Sequence, residues 1–275
     1  MVKKRIIPVI LMKNGHIVQS KRFQRHQVLG NPTTMVGRFS NWFCDELIYL
    51  DISRDAGYDL DRDDLNYPNR SGILELVDDV SKKCFMPLTV GGGIRTMEDA
   101  AQRLAHGADK VSINTQAFLA PRFISEAAGR FGSQCIVVSI DARLNGPGDW
   151  EVMIDRGRTP TGKSPRQWAI EAQGHGAGEI LLNAVDRDGL GTGYDISLVR
   201  SVTTAVGIPV IALGGVGSWD HLCAGLDEGG ADAVAAANIF QYTENAVYEA
   251  RKALFERGYP VREPAIASII QEDGA

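Results

Sequence analysis

The stretch TVGGGIRTMEDAAQRLAHGADKVSINT, residues 89–115, has a second copy in the same chain. It aligns without gaps on ALGGVGSWDHLCAGLDEGGADAVAAAN, residues 212–238. Each copy reads as a buried strand, a glycine-rich turn, an amphipathic helix and a further strand. The alignment pairs Gly91, Gly92, Gly107, Ala108 and Asp109 with Gly214, Gly215, Gly230, Ala231 and Asp232. Because such self-similarity marks a repeated architecture, we expect two halves built alike.

Short apolar, β-rich runs alternate with helical stretches on both sides of these copies. The predicted strands are 5–11, 46–52, 85–90, 110–114, 135–141, 179–185, 208–213 and 233–238. Eight strands separated by helices are typical of an α/β fold with a single (β/α)₈ TIM barrel, and 275 residues suit one such unit. We therefore predict a barrel with a half-barrel internal repeat over residues 1–262 and a C-terminal tail over 263–275.

Two longer segments interrupt the alternation, each after a predicted strand. Residues 12–32 are predicted to form a long loop after the first strand. Residues 53–72, which are rich in aspartate, follow the second strand. An acidic run is a weak sign of a metal site, so the second segment is interpreted as a solvated insertion.

Composition and charge exclude several classes of function. The net charge is −5 without long runs of one sign, which argues against a nucleic-acid or membrane partner. No apolar run approaches the roughly 20 residues that span a bilayer, so we expect a cytoplasmic protein. The four cysteines form no C-x-x-C pair and are expected to be reduced and structural. No metal site and no cofactor are predicted.

Glycine-rich turns follow two of the predicted strands, at VGGGI (90–94) and LGGVG (213–217). Glycines there let backbone N–H groups approach a phosphate closely, ahead of a helix N-terminus. Paired with the strand ends SINT (112–115) and AAAN (235–238), they suggest two phosphate sites on opposite sides of one barrel mouth. The alternative is that both are tight turns without a ligand. This alternative carries more weight for the second turn than for the first.

Several further stretches resemble one known family. The motifs are KRIIP, DELIYLDI, PLTVGGGI, GADKVSINT, FGSQCIVVSIDA, GAGEILLNAVDRDG and ADAVAAANIF, and the resemblance runs from Lys4 to about Arg262. The family is HisF, the cyclase subunit of imidazole glycerol phosphate synthase. The resemblance implies a barrel whose one face binds a substrate with a phosphate at each end. It also implies an opposite face that docks a glutaminase and admits its ammonia.

The residues that the resemblance assigns to the substrate face match unevenly. Asp141 matches one of the two acid/base aspartates, but the partner position is Leu11, which can neither take nor give a proton. Gln19, Asn183 and Leu213 also depart from the family's lysine, threonine and serine. The residues implied for phosphate binding are Gly92, Gly93, Asn114, Thr115, Gly214, Gly215, Ala237 and Asn238. Since Leu213 and Asn238 replace small hydroxyl residues, we expect the first phosphate site to bind more readily.

The opposite face matches the family without a change. The residues implied for its ammonia gate are Arg5, Glu46, Lys110 and Glu179, which begin four different strands and should form a ring. From spacing alone, a structural plug of salt bridges is as good an interpretation as a gate, and the resemblance favours the gate. Asp109 and Gln134 match positions that face the glutaminase.

This combination resembles HisF-like paralogues of bacterial surface-sugar amidation, which work with a HisH-like glutaminase and a separate ATP-dependent amidotransferase. It suggests a barrel that conducts ammonia to another acceptor and binds a phosphorylated small molecule. A working cyclase in histidine biosynthesis remains the second hypothesis, with Asp51, Asp186 or Asp188 as the substitute acid. A scaffold barrel without a partner would not need the charged ring.

Overall fold

The computed structural model describes residues 2–42, 44–54, 57–60, 69–242 and 245–264. The strands are β1 Arg5–Lys13, β2 His16–Lys21, β3 Arg25–Gly30, β4 Leu47–Asp51, β5 Leu88–Gly91, β6 Lys110–Ile113, β7 Ile136–Gly146, β8 Asp149–Ile154, β9 Thr159–Pro160, β10 Glu179–Ala184, β11 Val210–Leu213 and β12 Ala233–Ala236. The helices are α1 Pro32–Asn41, α2 Ile73–Ser81, α3 Met97–Ala105, α4 Thr115–Leu119, α5 Arg122–Phe131, α6 Pro165–Gly174, α7 Ile196–Thr203, α8 Trp219–Asp227, α9 Ile239–Tyr242 and α10 Ala246–Glu256.

Eight of these strands close into a parallel barrel in the order β1, β4, β5, β6, β7, β10, β11 and β12, and β12 pairs with β1. The predicted (β/α)₈ barrel is therefore confirmed. Within the duplicated stretches, β6 and β12 begin and end at positions that the gapless alignment pairs, whereas the bounds of β5 and β11 and of α3 and α8 differ by one residue. Whether the barrel unit ends at 262 stays a prediction, since the end of the tail from residue 265 lies outside the described residues.

Alternation along each strand divides the core into two layers. On β1, Ile6, Ile10 and Met12 belong to the cluster between barrel and helices, whereas Ile7 belongs to the barrel interior. This follows from the period of two in a strand, which sends successive side chains to opposite faces. Within the described part of the chain, no helix is long and apolar enough to cross a membrane.

The segment after β1 is a β-hairpin, so the expectation of a loop over 12–32 is wrong for most of its length. Strands β2 and β3 pair antiparallel, and β2 also pairs with the end of β1. The turn between them places Arg22 and Phe23 at φ values of 53° and 58°. In the second segment, 53–72, residues 55–56 and 61–68 lie outside the described ranges.

Candidate functional site

A cavity of about 840 Å³ opens at the C-terminal ends of the barrel strands. This is the end of a (β/α)₈ barrel where the βα loops build binding and catalytic sites. The residues predicted for the substrate face that line it are Leu11, Gly92, Gly93, Asn114, Thr115, Asp141, Asn183, Leu213 and Ala237. Gly214, Gly215, Asn238 and Gln19 do not line it.

Asp141 lines this cavity from the middle of β7 and is 8% exposed. Its two carboxylate oxygens accept hydrogen bonds from side-chain amides, at 3.0 Å from Nδ2 of Asn114 and 3.4 Å from Nδ2 of Asn183. Burial raises the pKa of Asp141 to about 7, helped by the charge of Asp188 and opposed by the two amides. A carboxyl group with this pKa can give or take a proton near neutral pH.

The raised pKa of Asp141 predicts a pH-dependent stability. Because the fold favours the protonated form, this contribution is complete below the ordinary pKa of 3.8 and is lost as pH rises through about 7. The loss amounts to about 1.4 kcal/mol for each unit by which the pKa is raised. We expect Asp141→Asn to gain stability relative to the native protein between pH 5 and pH 8, measured by urea unfolding. The same gain in the exposed control Asp149→Asn would contradict this assignment.

Leu11 lies in an apolar cluster at the cavity wall, where the resemblance would place the second acid. It is 9% exposed and pairs in register with Val18 of the hairpin. Val28 and Leu213 belong to the same cluster. Leu11 and Leu213 therefore belong to the apolar surface against which Val18 and Val28 of the β2–β3 hairpin pack.

Asp188 fastens the hairpin to the barrel mouth. Its Oδ2 accepts hydrogen bonds from Ser20 Oγ at 2.6 Å and from the Phe23 amide at 3.1 Å. The backbone carbonyl of Asp188 accepts a third from the Arg22 amide at 3.0 Å. Asn238, a residue predicted to bind the second phosphate, instead donates from Nδ2 to the Ser20 carbonyl at 3.3 Å. The hairpin thus forms hydrogen bonds with Asp188 and Asn238, so these groups are already engaged within the protein. The sequence pattern did not indicate these contacts.

The two glycine turns differ in their surroundings. A β-carbon at Gly92 would lie 2.0 Å from the Asp51 carbonyl oxygen, so close backbone packing alone requires glycine there. At Gly215 it would lie 2.3 Å from the Gly193 carbonyl oxygen, and the Gly215 carbonyl accepts from the Gly193 amide at 2.7 Å. The second turn is therefore engaged by a neighbouring loop, whereas Gly92 and Gly93 line the cavity.

The three substitute acids of the second hypothesis lie in different environments. Asp188 and Asp51 line the cavity, whereas Asp186 is exposed and accepts from the Leu144 amide at 2.6 Å. Asp51 accepts hydrogen bonds from Ser53 and from the Tyr58 hydroxyl. Burial raises the pKa of Asp188 as well, against the effect of its hydrogen bonds. Of the three, Asp188 is the best placed to exchange a proton in the cavity.

The four predicted gate residues lie together at the opposite end of the barrel. Arg5 Nη1 is 2.8 Å from Glu46 Oε2 and 3.0 Å from Glu179 Oε1. Lys110 Nζ is 3.2 Å from Glu179 Oε2 and pairs also with Glu46. Burial lowers the pKa of Arg5, but the charges of Glu46 and Glu179 outweigh it and the pKa is raised. The ring, defined as these four residues, alternates in charge and is closed. Its role as a gate stays a prediction.

Asp109 and Gln134 are exposed beside the ring, at the N-terminal starts of β6 and β7. Asp109 also has a structural role, because its Oδ2 accepts from the Leu88 amide at 2.8 Å. Asp232 binds the Val210 amide in the same way in the second half of the repeat. The sequence alignment pairs these aspartates but does not reveal the contact. Facing a partner remains a prediction for Asp109 and Gln134.

The side chains that could hold a metal are spread apart. In the described ranges, no three His, Cys, Asp or Glu side chains gather into a metal-binding group. The polar groups around the cavity are instead amides, hydroxyls, carboxylates and basic side chains, and the neutral and basic groups suit hydrogen bonding to an anionic organic ligand.

A comparison with protein families agrees with this architecture. A family model described as histidine biosynthesis protein matches residues 5–246, which span the barrel from the first residue of β1 to the start of α10. The match covers well over half of the chain. The chain therefore belongs to the histidine biosynthesis protein family, of the HisA/HisF type.

Proposed function

We propose that the chain is the barrel subunit of a glutamine amidotransferase complex. It binds a HisH-like glutaminase at the N-terminal face and conducts ammonia through the barrel to the cavity at the other face. One observation carries the proposal: the charged ring is complete, while Leu11 faces the cavity in place of the second acid. The charged entrance is thus retained where the acid/base pair is not.

The barrel interior between ring and cavity supports passage of a small neutral molecule. Its inward-facing side chains are mostly aliphatic, namely Ile7, Ile48, Val137, Leu181 and Ile211. Closer to the mouth, Ser112 and Ser139 line the cavity floor, and the buried Ser112 hydroxyl has no protein partner. An apolar passage disfavours ions, because they would lose hydration, and admits NH₃ more readily than NH₄⁺.

The acceptor follows from the second resemblance, to paralogues of surface-polysaccharide sugar amidation. In this scheme a separate ATP-dependent amidotransferase activates the acceptor, and the barrel supplies ammonia. A phosphorylated small molecule binds at the first glycine turn, where Gly92, Gly93, Asn114 and Thr115 all line the cavity.

A working cyclase is the second candidate, and one observation favours it. Asp141 and Asp188 both line the cavity, and burial raises the pKa of each. However, the Asp188 carboxylate is already committed to the hairpin through Ser20 and Phe23. Acid catalysis by Asp188 would require the hairpin to detach.

The proposal predicts that the barrel stimulates its cognate glutaminase. We expect glutamine hydrolysis to rise when the purified barrel is added, because the ring and the face beside it provide the docking surface. The substitution Asp109→Lys should weaken the apparent affinity roughly ten-fold, as expected for loss of an interface residue worth more than 1 kcal/mol. The measurement is glutamate release as a function of barrel concentration.

The matched control is Asp149→Lys. Asp149 is also an exposed aspartate, but it begins β8, which pairs with β7 at the opposite end of the barrel. Gln134→Lys tests the same face without removing the hydrogen bond of Asp109 to Leu88. An absence of stimulation by the native barrel would contradict the proposal, and so would equal losses at positions 109 and 149.

A further inference from the structure

Arg103, on α3, is a buried cation beside the first glycine turn. The residue is 5% exposed and lines the cavity. It donates from Nη1 to the Asp99 carbonyl and from Nη2 to the Gly92 carbonyl, both at 2.8 Å. Its Nε is buried and has no hydrogen-bond partner. The guanidinium therefore binds only neutral backbone groups within the described structure.

The carboxylates of Asp99 and Asp51 raise the pKa of Arg103 by their charge, but neither forms an ion pair with it. The Asp99 carboxylate caps α3, where it accepts from the amides of Arg95 and Thr96 and from the Thr96 hydroxyl. The Asp51 carboxylate is bound by Ser53 and Tyr58. Among the described residues, Arg103 forms no ion pair with a carboxylate.

An uncompensated buried cation is unfavourable, because the charge loses its hydration without gaining a counter-ion. Burial accordingly lowers the pKa of Arg103, and the charges of Asp99 and Asp51 oppose this only partly. A structural role alone, as a brace for the Gly92 carbonyl, would not need a charged group. A negatively charged ligand would supply the missing partner.

The guanidinium lies within reach of such a ligand. A β-carbon added to Gly93 would lie 3.4 Å from Nη2 of Arg103, which is the nearest atom to that position. Across the cavity wall, the Thr115 hydroxyl accepts from the Asp155 amide at 3.0 Å, so its proton is free to donate to a ligand. Gly93, Thr115 and Arg103 all line the cavity.

We propose that Arg103 is the counter-cation of the anionic group bound at the Gly92–Gly93 turn and makes this site select a doubly charged phosphate monoester over singly charged anions. The inference rests on the phosphorylated ligand of the proposed function and names the residue that recognises its charge. It needs no glutaminase, so it can be tested apart from ammonia delivery.

The test measures binding of β-glycerol phosphate by calorimetry at pH 5 and pH 7.5, at constant ionic strength. Native affinity should rise with pH, because a phosphate monoester becomes a dianion above its second pKa of about 6. Arg103→Met should lower the affinity at pH 7.5 roughly ten- to hundred-fold, as for loss of a charge-assisted hydrogen bond, and should flatten the pH response. Arg103→Lys should retain most of that response.

Two controls separate charge recognition from a structural role. Arg122→Met removes an exposed arginine outside the cavity and should leave affinity unchanged. The thermal midpoint of ligand-free Arg103→Met should be no lower than that of the native protein, because an unpaired charge has been removed. If Arg103→Met does not fold, Arg103→Gln replaces it, since its side-chain amide can still donate to a backbone carbonyl such as that of Gly92 but carries no charge.

The inference is overturned if Arg103→Met binds the monoester as tightly as the native protein does. It is also overturned if Arg103→Met loses affinity equally at pH 5 and pH 7.5, or if the native protein shows no binding. A failure of this kind would leave glutaminase stimulation unaffected, so the two proposals can fail separately.

Discussion

We expect the barrel, given the cyclase substrate and ammonium salt, to turn over roughly 10²- to 10⁴-fold more slowly than an ordinary HisF, the usual range for one missing acid/base group. The reason is that Leu11 cannot exchange a proton with the substrate, which leaves Asp141 without its partner. Because ammonium salt replaces the ammonia from the glutaminase, the assay measures only the cyclase reaction in the cavity. The measurement is steady-state formation of imidazole glycerol phosphate.

Leu11→Asp is not expected to restore this activity. The new carboxylate would lie in the apolar cluster with Val18, Val28 and Leu213, where it would be protonated or would displace the hairpin. The variant Asp188→Asn tests whether Asp188 acts as the substitute acid. A native rate comparable to that of HisF, lost in Asp188→Asn, would favour the cyclase hypothesis over ammonia delivery.

The second large effect is expected at the ring. Arg5→Met should lower the free energy of unfolding by about 3–5 kcal/mol, the range for breaking a buried pair by removing one partner. Arg5 bridges Glu46 and Glu179, whose side chains are 7% and 12% exposed. Without it, two buried carboxylates would share only Lys110. Urea unfolding of both proteins at one pH measures the difference.

Two variants make this measurement specific. Arg5→Met combined with Glu46→Gln leaves the balanced pair of Lys110 and Glu179, and should recover part of the loss. Lys252→Met removes an exposed cation that is 4.0 Å from Glu256, and should cost less than about 0.5 kcal/mol. If Arg5→Met costs no more than Lys252→Met, the ring does not hold the barrel end together.

The barrel and the ring could be predicted from sequence because both depend on regular spacing. Strands of period two, separated by helices, bring their first residues to one end whatever the loops between them do. Arg5, Glu46, Lys110 and Glu179 therefore meet in space although they are far apart in the chain. Asp141 and the first glycine turn reach the cavity for the same reason.

The contacts around the mouth could not be predicted, because they depend on local conformations without a sequence signal. The hairpin turn uses Arg22 and Phe23 at positive φ, where glycine or asparagine would have announced it. Arg103 lies in an amphipathic helix where an arginine ordinarily indicates a solvated face. Its burial matches the i, i+3 spacing from Ala100, the other buried residue of α3, so the helical period places it on the packed face although its residue type does not suggest burial.

Under the proposed function Leu11 replaces an acid, and the hairpin that rests on Leu11 makes this replacement difficult to reverse in small steps. A carboxylate introduced at position 11 would contact the apolar side chains of the hairpin. If the hairpin changed first, it would lose its apolar contacts with Leu11. Each single reversion therefore passes through a less stable protein, although the combined reversion need not. Under the proposed function, selection for stability alone would keep the leucine and the hairpin together, and an acid at position 11 would not return by one substitution at a time.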